Sequence, residues 1–453
     1  MTAACALCLA SNCFDRTLIR IGEPLKPPRF PFFYGWAIIA VAFVTMAIGV
    51  NARTAFSLLF PPILDEFGWD RGVTAGAFSF GFFIAAMLSP LLGRLLDKHG
   101  PLVMLEAGVA IMAGGLFLSA QVQTPWQLYL SIGVLVGGGS VALGYTGQSL
   151  YLPNWFVRRR GLATSIAFAG VGIGSIVLFP LLQALIAEAG WRAACMGLGL
   201  LVLIVLAPLN LLVRRRPEDL GLGPDGDTVA ATGAGAPRHE NVIDHAWVAI
   251  DWTLGRALRT ARFWWIAAGF FCAMFAWYAV QVHQTKYLIE SGFAPMYAAW
   301  ALGFVSFAAI PGQIAFGHLS DRIGREWVWA VGNLGFVLCY AALLTMREFP
   351  HPALLWAMVA VQGFLGYSIT SVLGGVVAEI FLGRQFGSIF GTLMGIGLIG
   401  GAIGPWATGA LHDANGSYTL AFSISIIASI ASALCIWRAA PRQIRAVAGR
   451  IGR

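Results

Sequence analysis

The residues best placed to do chemistry in this chain are the few polar and charged side chains that interrupt its long apolar runs. Arg53 lies inside the first run, and His283 lies in a later run beside Gln281 and Gln284. A charged or titratable group in hydrocarbon is costly, and it usually faces a water-filled cavity. There it can bind an anion or, in the case of histidine, carry a proton. These residues therefore indicate binding and translocation rather than bond making.

Both residues also have a purely structural interpretation. Arg53 lies about six residues outward of the middle of its run, or ~9 Å, so its side chain could extend to the membrane interface. His283 could instead form a hydrogen bond with a neighbouring helix. The apolar runs contain no HExxH motif, no paired acids and no nucleophile–base pair, so we expect neither an enzyme nor a cofactor. Cys5 and Cys8 lack a second pair of ligands nearby, and we expect no metal site.

The composition places the chain in a lipid bilayer. Of its 453 residues 58% are hydrophobic and 11% are charged, and the mean hydropathy is +0.75. Soluble domains carry about 25% charged residues, so a chain of this kind needs lipid around it. The net charge of +8 comes from short basic clusters between the apolar runs. Such clusters set membrane topology, and we expect no nucleic-acid partner.

Two sets of matching residues show an internal repeat. The segment from Gly93 to Gly100 recurs as Gly317 to Gly324, 224 positions later, with Gly, Leu, Asp and Gly in register. A second set recurs at an offset of 225: Phe156, Gly170, Gly172 and Pro180 match Phe381, Gly395, Gly397 and Pro405. Repeats of this length in an apolar chain predict a transporter built from two related bundles.

We predict an all-α membrane protein with twelve transmembrane helices in two pseudo-symmetric six-helix bundles. Helices are required because lipid offers the backbone no hydrogen-bond partners, and about 20 residues span the hydrocarbon. The predicted spans are Phe33–Phe60, Val73–Leu96, Leu102–Gln121, Gln127–Leu152, Gly161–Ala187, Trp191–Val213, Arg262–Ile289, Ala298–Leu319, Val328–Met346, Leu354–Ala378, Gly387–Leu411 and Tyr418–Trp437.

The distribution of basic residues predicts the orientation and the domain boundaries. Of the 29 Lys and Arg residues, 24 fall on one side of the predicted spans and 4 on the other, which places both termini and the central loop in the cytoplasm of a cell whose inner membrane holds the protein. The segment from Trp247 to Arg259 is either a helix lying along the membrane surface or the start of the seventh span. The predicted domains are a disordered tail at 1–30, a first bundle at 31–213, a linker at 214–259, a second bundle at 260–437 and a basic tail at 438–453.

The repeated loop resembles the signature of the major facilitator superfamily, which has Gly-x-x-x-Asp, a basic residue and Gly between the second and third spans. The first copy departs from it at Pro101, where a basic residue is usual. In that family these acids and bases hold the cytoplasmic ends of the bundles together in one state. The resemblance implies that role for Asp97, Asp321, Arg322 and Arg325. The alternative is a simple turn carrying topogenic charges, although such a turn would not need an acid in both copies.

Further segments resemble the monocarboxylate and oxalate/formate porter branch in its bacterial form. They are Tyr34-Gly35-Trp36, Phe67-Gly68-Trp69, the stretch from Asn154 to Ala163, and Gly190-Trp191-Arg192. That branch usually carries an arginine in the eighth span that binds the substrate carboxylate. Gln313 occupies the matching position here. Either the substrate is not a simple carboxylate, or another cation such as Arg53 has taken over this role.

The expected site combines these residues with tyrosines. In the resembled branch, tyrosines of the fourth and tenth spans help to enclose the anion, which implies that Tyr145 and Tyr367, together with Gln148, line the cavity. Tyrosine hydroxyls can orient a carboxylate while the rings supply an apolar wall; packing between helices is the alternative.

We therefore expect a monomeric secondary active transporter that moves a small organic anion, a monocarboxylate or a dicarboxylate, by alternating access. Whether a proton accompanies the anion is left open. The alternatives are a porter that exports a neutral or cationic amphiphile and, less in keeping with the short central loop, a membrane sensor without transport.

Overall fold

The computed structural model describes residues 33–152, 155–156, 160–214, 217–220, 222, 243–381 and 385–444. The predicted tail at 1–30, Cys5 and Cys8 lie outside this range, as do the last nine residues. Twelve long helices follow one another in the described part. They are α1 (Gly35–Phe67), α2 (71–99), α3 (101–119), α4 (125–151), α5 (160–189), α6 (191–210), α7 (Ala261–Glu290), α8 (Pro295–Ile323), α9 (Arg325–Met346), α10 (Pro352–Phe381), α11 (Phe386–Asn415) and α12 (Thr419–Ala439).

Glycines in the left-handed region separate consecutive helices. Gly100 divides α2 from α3 at φ 83°, and Gly190 divides α5 from α6 at φ 84°. Gly324, which the repeat places opposite Gly100, ends α8 at φ 106°. Side chains rarely adopt this conformation, so the sequence uses glycine at these turns. Eleven segments of the described residues are long and apolar enough to cross a membrane, and one of them, Ala163–Asn210, spans 48 residues and holds both α5 and α6. The twelve-helix prediction is confirmed.

Glycines bring helix backbones together inside each half of the molecule. In the first half, a Cβ atom on Gly170 or Gly174 would collide with the backbone of α1. In the second half, Gly400 and Gly404 make the same approach to α7, and a Cβ on Gly404 would lie 2.5 Å from the carbonyl oxygen of Phe275. Small residues allow this close packing of helices in lipid. These four glycines therefore serve packing within each bundle.

The two halves meet along three pairs of helices: α1 with α7, α2 with α11, and α5 with α8. Where α2 crosses α11, a Cβ on Gly409 would lie 2.7 Å from the backbone of Gly72. Where α5 crosses α8, the Ser175 hydroxyl donates to the carbonyl oxygen of Gly303 at 3.0 Å. Each half contributes its own buried apolar core. Small residues thus bring the backbones of the two halves close together where α2 crosses α11 and where α5 crosses α8.

The segment that precedes α7 folds back onto the second half. It forms two short helical turns, His245–Val248 and Leu254–Ala257, and α7 starts only at Ala261. The Trp247 indole donates to the carbonyl oxygen of Ile380 at 2.8 Å and packs on Trp252. The segment is thus neither one long surface helix nor an extension of α7. We call this end of the molecule the linker end, and the opposite end, where α2 starts and α7 stops, the Arg71 end.

Candidate functional site

Arg53 lies close to the centre of α1. The helix continues to Phe67, seven residues beyond its predicted end, so Arg53 is about 3 Å along the axis from the middle rather than ~9 Å. Its guanidinium lies over the ring of Phe82 at 3.9 Å and over Phe78 at 5.0 Å. One of its terminal nitrogens is buried without a hydrogen-bond partner, and no acid among the described residues forms an ion pair with it. Arg53 is thus a half-buried cation in the core of a bundle, supported by aromatic rings.

A tyrosine from the second half faces this arginine. Tyr278, near the middle of α7, packs on Phe82 with ring centroids 4.2 Å apart. The Arg53 guanidinium lies over the same Phe82 ring at 3.9 Å, so Arg53 and Tyr278 share this ring. Tyr278 also lies near Tyr145 and Tyr367. Four polar groups from α1, α4, α7 and α10 therefore surround one region between the halves.

Irregularities in α4 and α10 position the two other tyrosines. In α4, a π-helical segment, Tyr129–Val136, is followed by a break at Gly144, and Tyr145 opens the next helical piece. In α10, a π-helical segment, Val361–Leu365, is followed by a 3₁₀ turn, Gly366–Ser368, that contains Tyr367. Such interruptions are frequent at functional sites and near the midplane of transporters. The fourth helix of each half thus presents a tyrosine next to an irregularity in the helix.

The surroundings of the tyrosines combine apolar walls with accessible space. Tyr145 is 46% exposed although it lies within the bundle, and its ring meets Phe168 edge-on at 4.9 Å. Tyr367 is nearly buried and stacks on Trp277 with centroids 4.0 Å apart. Gln313 is half-buried on α8. We call Arg53, Tyr145, Tyr278 and Tyr367 the central cluster.

Two of the residues predicted to line the site lie elsewhere in this conformation. Gln148 is fully buried within the first half, where its side-chain oxygen accepts from the Tyr151 hydroxyl at 2.5 Å. His283 is also fully buried, and it lies about 11 Å along α7 from the helix centre, toward the Arg71 end. Its Nε2 atom is 2.8 Å from the carbonyl oxygen of Pro405, and its Nδ1 atom is 3.1 Å from the Tyr418 hydroxyl. Their assignment to substrate binding stays a prediction.

The two halves are joined at the Arg71 end by a dense polar network. The Arg71 side chain forms an ion pair with Glu290 and donates to the Tyr418 hydroxyl at 2.8 Å. The backbone N–H groups of Arg71 and Gly72 donate to the two carboxylate oxygens of Asp413 at 3.1 and 2.7 Å. We call Arg71, Glu290, Asp413 and Tyr418 the Arg71 closure. It connects the start of α2 with the ends of α7 and α11 and with the residue before α12.

A second layer lies just inside this closure. Lys286 pairs with Asp65 at 2.6 Å, which joins α7 to α1. Beside this pair, the Ser57 hydroxyl lies 2.8 Å from the Thr285 hydroxyl, and both residues are almost completely buried. Phe60 covers the ring of His283 edge-on at 5.2 Å. These contacts between the halves thus close the Arg71 end.

The residues predicted to hold the linker end together are only partly described. The side chains of Asp97 and Asp321 lie outside the described residues. Arg322 is exposed, and the Arg325 guanidinium pairs with Glu379 at 2.6 Å, an ion pair within the second half. Their gating role therefore stays a prediction, whereas the closure at the opposite end was not anticipated.

Comparison with known proteins identifies the family and its relatives. The family model of the Major Facilitator Superfamily matches residues 38–312 and 286–451. The chain belongs to this superfamily. Monocarboxylate transporter 13 of Bos taurus is 28% identical over 400 residues, which cover 86% of each chain. Monocarboxylate transporter 12 of Rattus norvegicus is 26% identical over 437 residues, or 92% of this chain and 87% of that protein. The predicted resemblance to monocarboxylate porters is confirmed.

Solved structures confirm the fold of this superfamily member. A bacterial homolog to the human lysosomal transporter Spinster, in an inward-facing and occupied conformation, gives a TM-score of 0.64 at 16% identity, covering 91% of this chain and 96% of that one. The nucleoside transporter NupG gives 0.65 at 16% identity, covering 90% and 98%. The protein is therefore a multi-pass membrane transporter rather than an enzyme.

Proposed function

We propose that this protein is a secondary active transporter that moves a small organic anion across the membrane by alternating access. The anion binds in the central cluster, and the two halves rock to expose that cluster first to one side and then to the other. The linker end faces the cytoplasm, in keeping with the excess of basic residues there. The conformation described above, sealed at the Arg71 end, is then the one that is closed to the outside.

The observation that carries this proposal is the unpaired guanidinium of Arg53. A cation near the middle of a membrane is expensive unless its partner is bound for part of the time. The carboxylate of a substrate supplies such a partner, and a fork of two N–H groups matches it well. Because the central cluster contains a single unpaired cation, it favours a substrate with one carboxylate over a substrate with two. Relatives that are named monocarboxylate transporters point the same way.

The tyrosines of the central cluster come from both halves of the molecule. Tyr145 comes from the first bundle, and Tyr278 and Tyr367 come from the second, so an anion held by Arg53 can contact both bundles at once. A ligand drives a conformational change only when it interacts differently with the two conformations. Contacts from both halves provide that difference, because they are complete only when the halves close around the anion.

The test is uptake of a radiolabelled monocarboxylate, such as pyruvate or lactate, into proteoliposomes with Arg53→Ala and Arg53→Lys variants. We expect Arg53→Ala to reduce uptake at least tenfold, since a charge-assisted hydrogen bond contributes about 1.5–3 kcal/mol. Arg53→Lys keeps the charge but loses the fork, so it should retain a small part of the activity.

Arg192→Ala is the matched control for this test. Arg192 is also an arginine of the first half, but it pairs with Glu66 at 2.6 Å near the Arg71 end and lies far from the central cluster. Its removal should leave uptake near the normal rate. Normal uptake of anions by a well-folded Arg53→Ala variant, or uptake of amphiphilic cations but of no carboxylate by the unmodified protein, would overturn the proposal.

A further inference from the structure

A chain of hydrogen bonds connects His283 to the Arg71 closure. Arg71 donates to the Tyr418 hydroxyl at 2.8 Å, and that hydroxyl lies 3.1 Å from Nδ1 of His283. On the other side of the ring, Nε2 lies 2.8 Å from the carbonyl oxygen of Pro405. Four helices or helix ends, from α2, α7, α11 and α12, therefore meet in one relay that passes through a single imidazole.

A neutral imidazole can satisfy every hydrogen bond in this relay. A carbonyl oxygen only accepts, so Nε2 of His283 must carry the proton that points to Pro405. The Nδ1 atom of the neutral ring then accepts from the Tyr418 hydroxyl. Because that hydroxyl gives its hydrogen to the ring, it has lone pairs free to accept from Arg71. With the neutral ring, every hydrogen in the relay therefore has an acceptor.

A second proton on His283 would break this arrangement. With Nδ1 protonated, the ring can no longer accept from Tyr418, and the buried hydroxyl hydrogen loses its partner. The imidazolium would also lie close to Arg71 of α2, which donates to the same Tyr418 hydroxyl, and to His412 of α11, whose ring packs on Tyr418 with centroids 4.4 Å apart. The element that packs on the ring from α1 contributes the apolar ring of Phe60.

The remaining charged groups near the ring do not compensate for a positive charge. Glu290, on the same helix, is already paired with Arg71, and the two carboxylate oxygens of Asp413 accept from the start of α2. Lys286, three residues further along α7, is itself a cation and pairs with Asp65. Protonation of His283 therefore disfavours the closed Arg71 end.

We propose that His283 is a proton-binding site whose occupation opens the Arg71 end of the transporter. Closure expels the proton, and opening toward the outside lets the ring take it up. The inference rests on the alternating exposure proposed above, but it does not depend on which anion is carried. It gives a residue of the closure, rather than one of the central cluster, the role of linking proton uptake to conformation.

The size of the effect follows from linkage. A solvated imidazole titrates near pH 6.5, whereas the closed form accommodates only the neutral ring. The closed form is then fully favoured at higher pH and loses its advantage as the pH falls through that value. Between about pH 7.5 and pH 5.5 the ratio of open to closed molecules should rise about tenfold.

The experiment measures access to a cysteine placed behind the closure. Ser57→Cys, at a site only 2% exposed between α1 and α7, is labelled with a charged maleimide in the purified full-length protein at both pH values. Ala414→Cys, at an exposed site near the end of α11, provides the reference for the pH dependence of thiol reactivity. The unmodified chain, with its own seven cysteines, gives the background. The labelling rate at position 57, divided by that at position 414, should rise about tenfold on acidification.

Three further variants decide whether His283 is responsible. His283→Gln can donate to Pro405 and accept from Tyr418 without titrating, so it should label slowly at both pH values. Tyr418→Phe should label fast at both, since it interrupts the relay. His412→Gln removes the neighbouring histidine and should keep the pH dependence.

A normal pH response in His283→Gln, or its loss in His412→Gln, would overturn the proposal. So would a labelling ratio in the parent protein that does not change with pH. None of these results bears on whether Arg53 binds the anion, which the uptake assay tests separately.

Discussion

Replacing Arg71 by alanine should shift the resting conformation toward one that is open at the Arg71 end. The variant loses the ion pair with Glu290 and the hydrogen bond to Tyr418. It keeps the two backbone hydrogen bonds to Asp413, because these come from the main chain. The closure is therefore weakened rather than abolished.

The magnitude follows from the exposure of the groups. The side chains of Arg71 and Glu290 are 17% and 37% exposed, so solvent screening limits their pair to about 1 kcal/mol. The hydrogen bond from the guanidinium to the more buried Tyr418 hydroxyl adds about 1.5 kcal/mol. The sum of about 2.5 kcal/mol corresponds to a change of roughly 30- to 100-fold in the open-to-closed ratio, since 1.4 kcal/mol is tenfold.

Pulsed electron paramagnetic resonance can measure this shift. Spin labels at Gln123, between α3 and α4, and at Glu348, between α9 and α10, are both exposed and report the separation of the halves at the Arg71 end. Arg71→Ala should move the distance distribution from a short to a long population. Arg192→Ala, which removes a pair inside the first half, should leave it unchanged. An unchanged distribution in Arg71→Ala would show that the network does not hold the halves together.

Two further predictions concern packing and binding. Gly404→Val should lower the free energy of unfolding by about 1–3 kcal/mol, because the valine side chain would overlap the backbone near Phe275. The control, Gly395→Ala, should leave it unchanged, because nothing lies within 4 Å of the added methyl group. Equal melting temperatures of the two variants would contradict this account. Tyr145→Phe should raise the KM for the anion two- to tenfold without a loss of stability, since the Tyr145 hydroxyl has no hydrogen-bond partner among the described residues. The control, Tyr151→Phe, loses the hydrogen bond to Gln148 and should lower the stability without changing the KM. The reverse pattern would remove Tyr145 from the site.

Much of the fold could be predicted from the sequence because lipid restricts the choices. Apolar length fixed the twelve helices, and the repeat paired Gly100 with Gly324, which the structure shows in the same left-handed turn. The end of α1 was misplaced because Pro61 and Pro62 usually stop a helix, yet here the helix continues through both to Phe67. That error also displaced the predicted position of Arg53 from the centre of α1.

The site was only partly predictable because its members lie on different helices. Arg53 was identified as a charge within an apolar span, and Tyr145 and Tyr367 were implied by the family resemblance. Tyr278 was not assigned to the site, since nothing in the sequence indicates that it meets Phe82 across the interface. The partners of Arg71 lie 219 to 347 positions away along the chain. One signal was available: Arg71 is one of only four basic residues that the charge count placed on that side.

Glu290 and Asp413 both contact Arg71, but only the contact with Glu290 depends on the side chain at position 71. Glu290 pairs with the side chain of residue 71, so substitutions at this position can strengthen or weaken that contact. Asp413 recognises main-chain N–H groups, which every residue other than proline supplies. Substitutions at position 71 can thus change the stability of the Arg71 closure through Glu290, while the backbone hydrogen bond to Asp413 persists with almost any amino acid there.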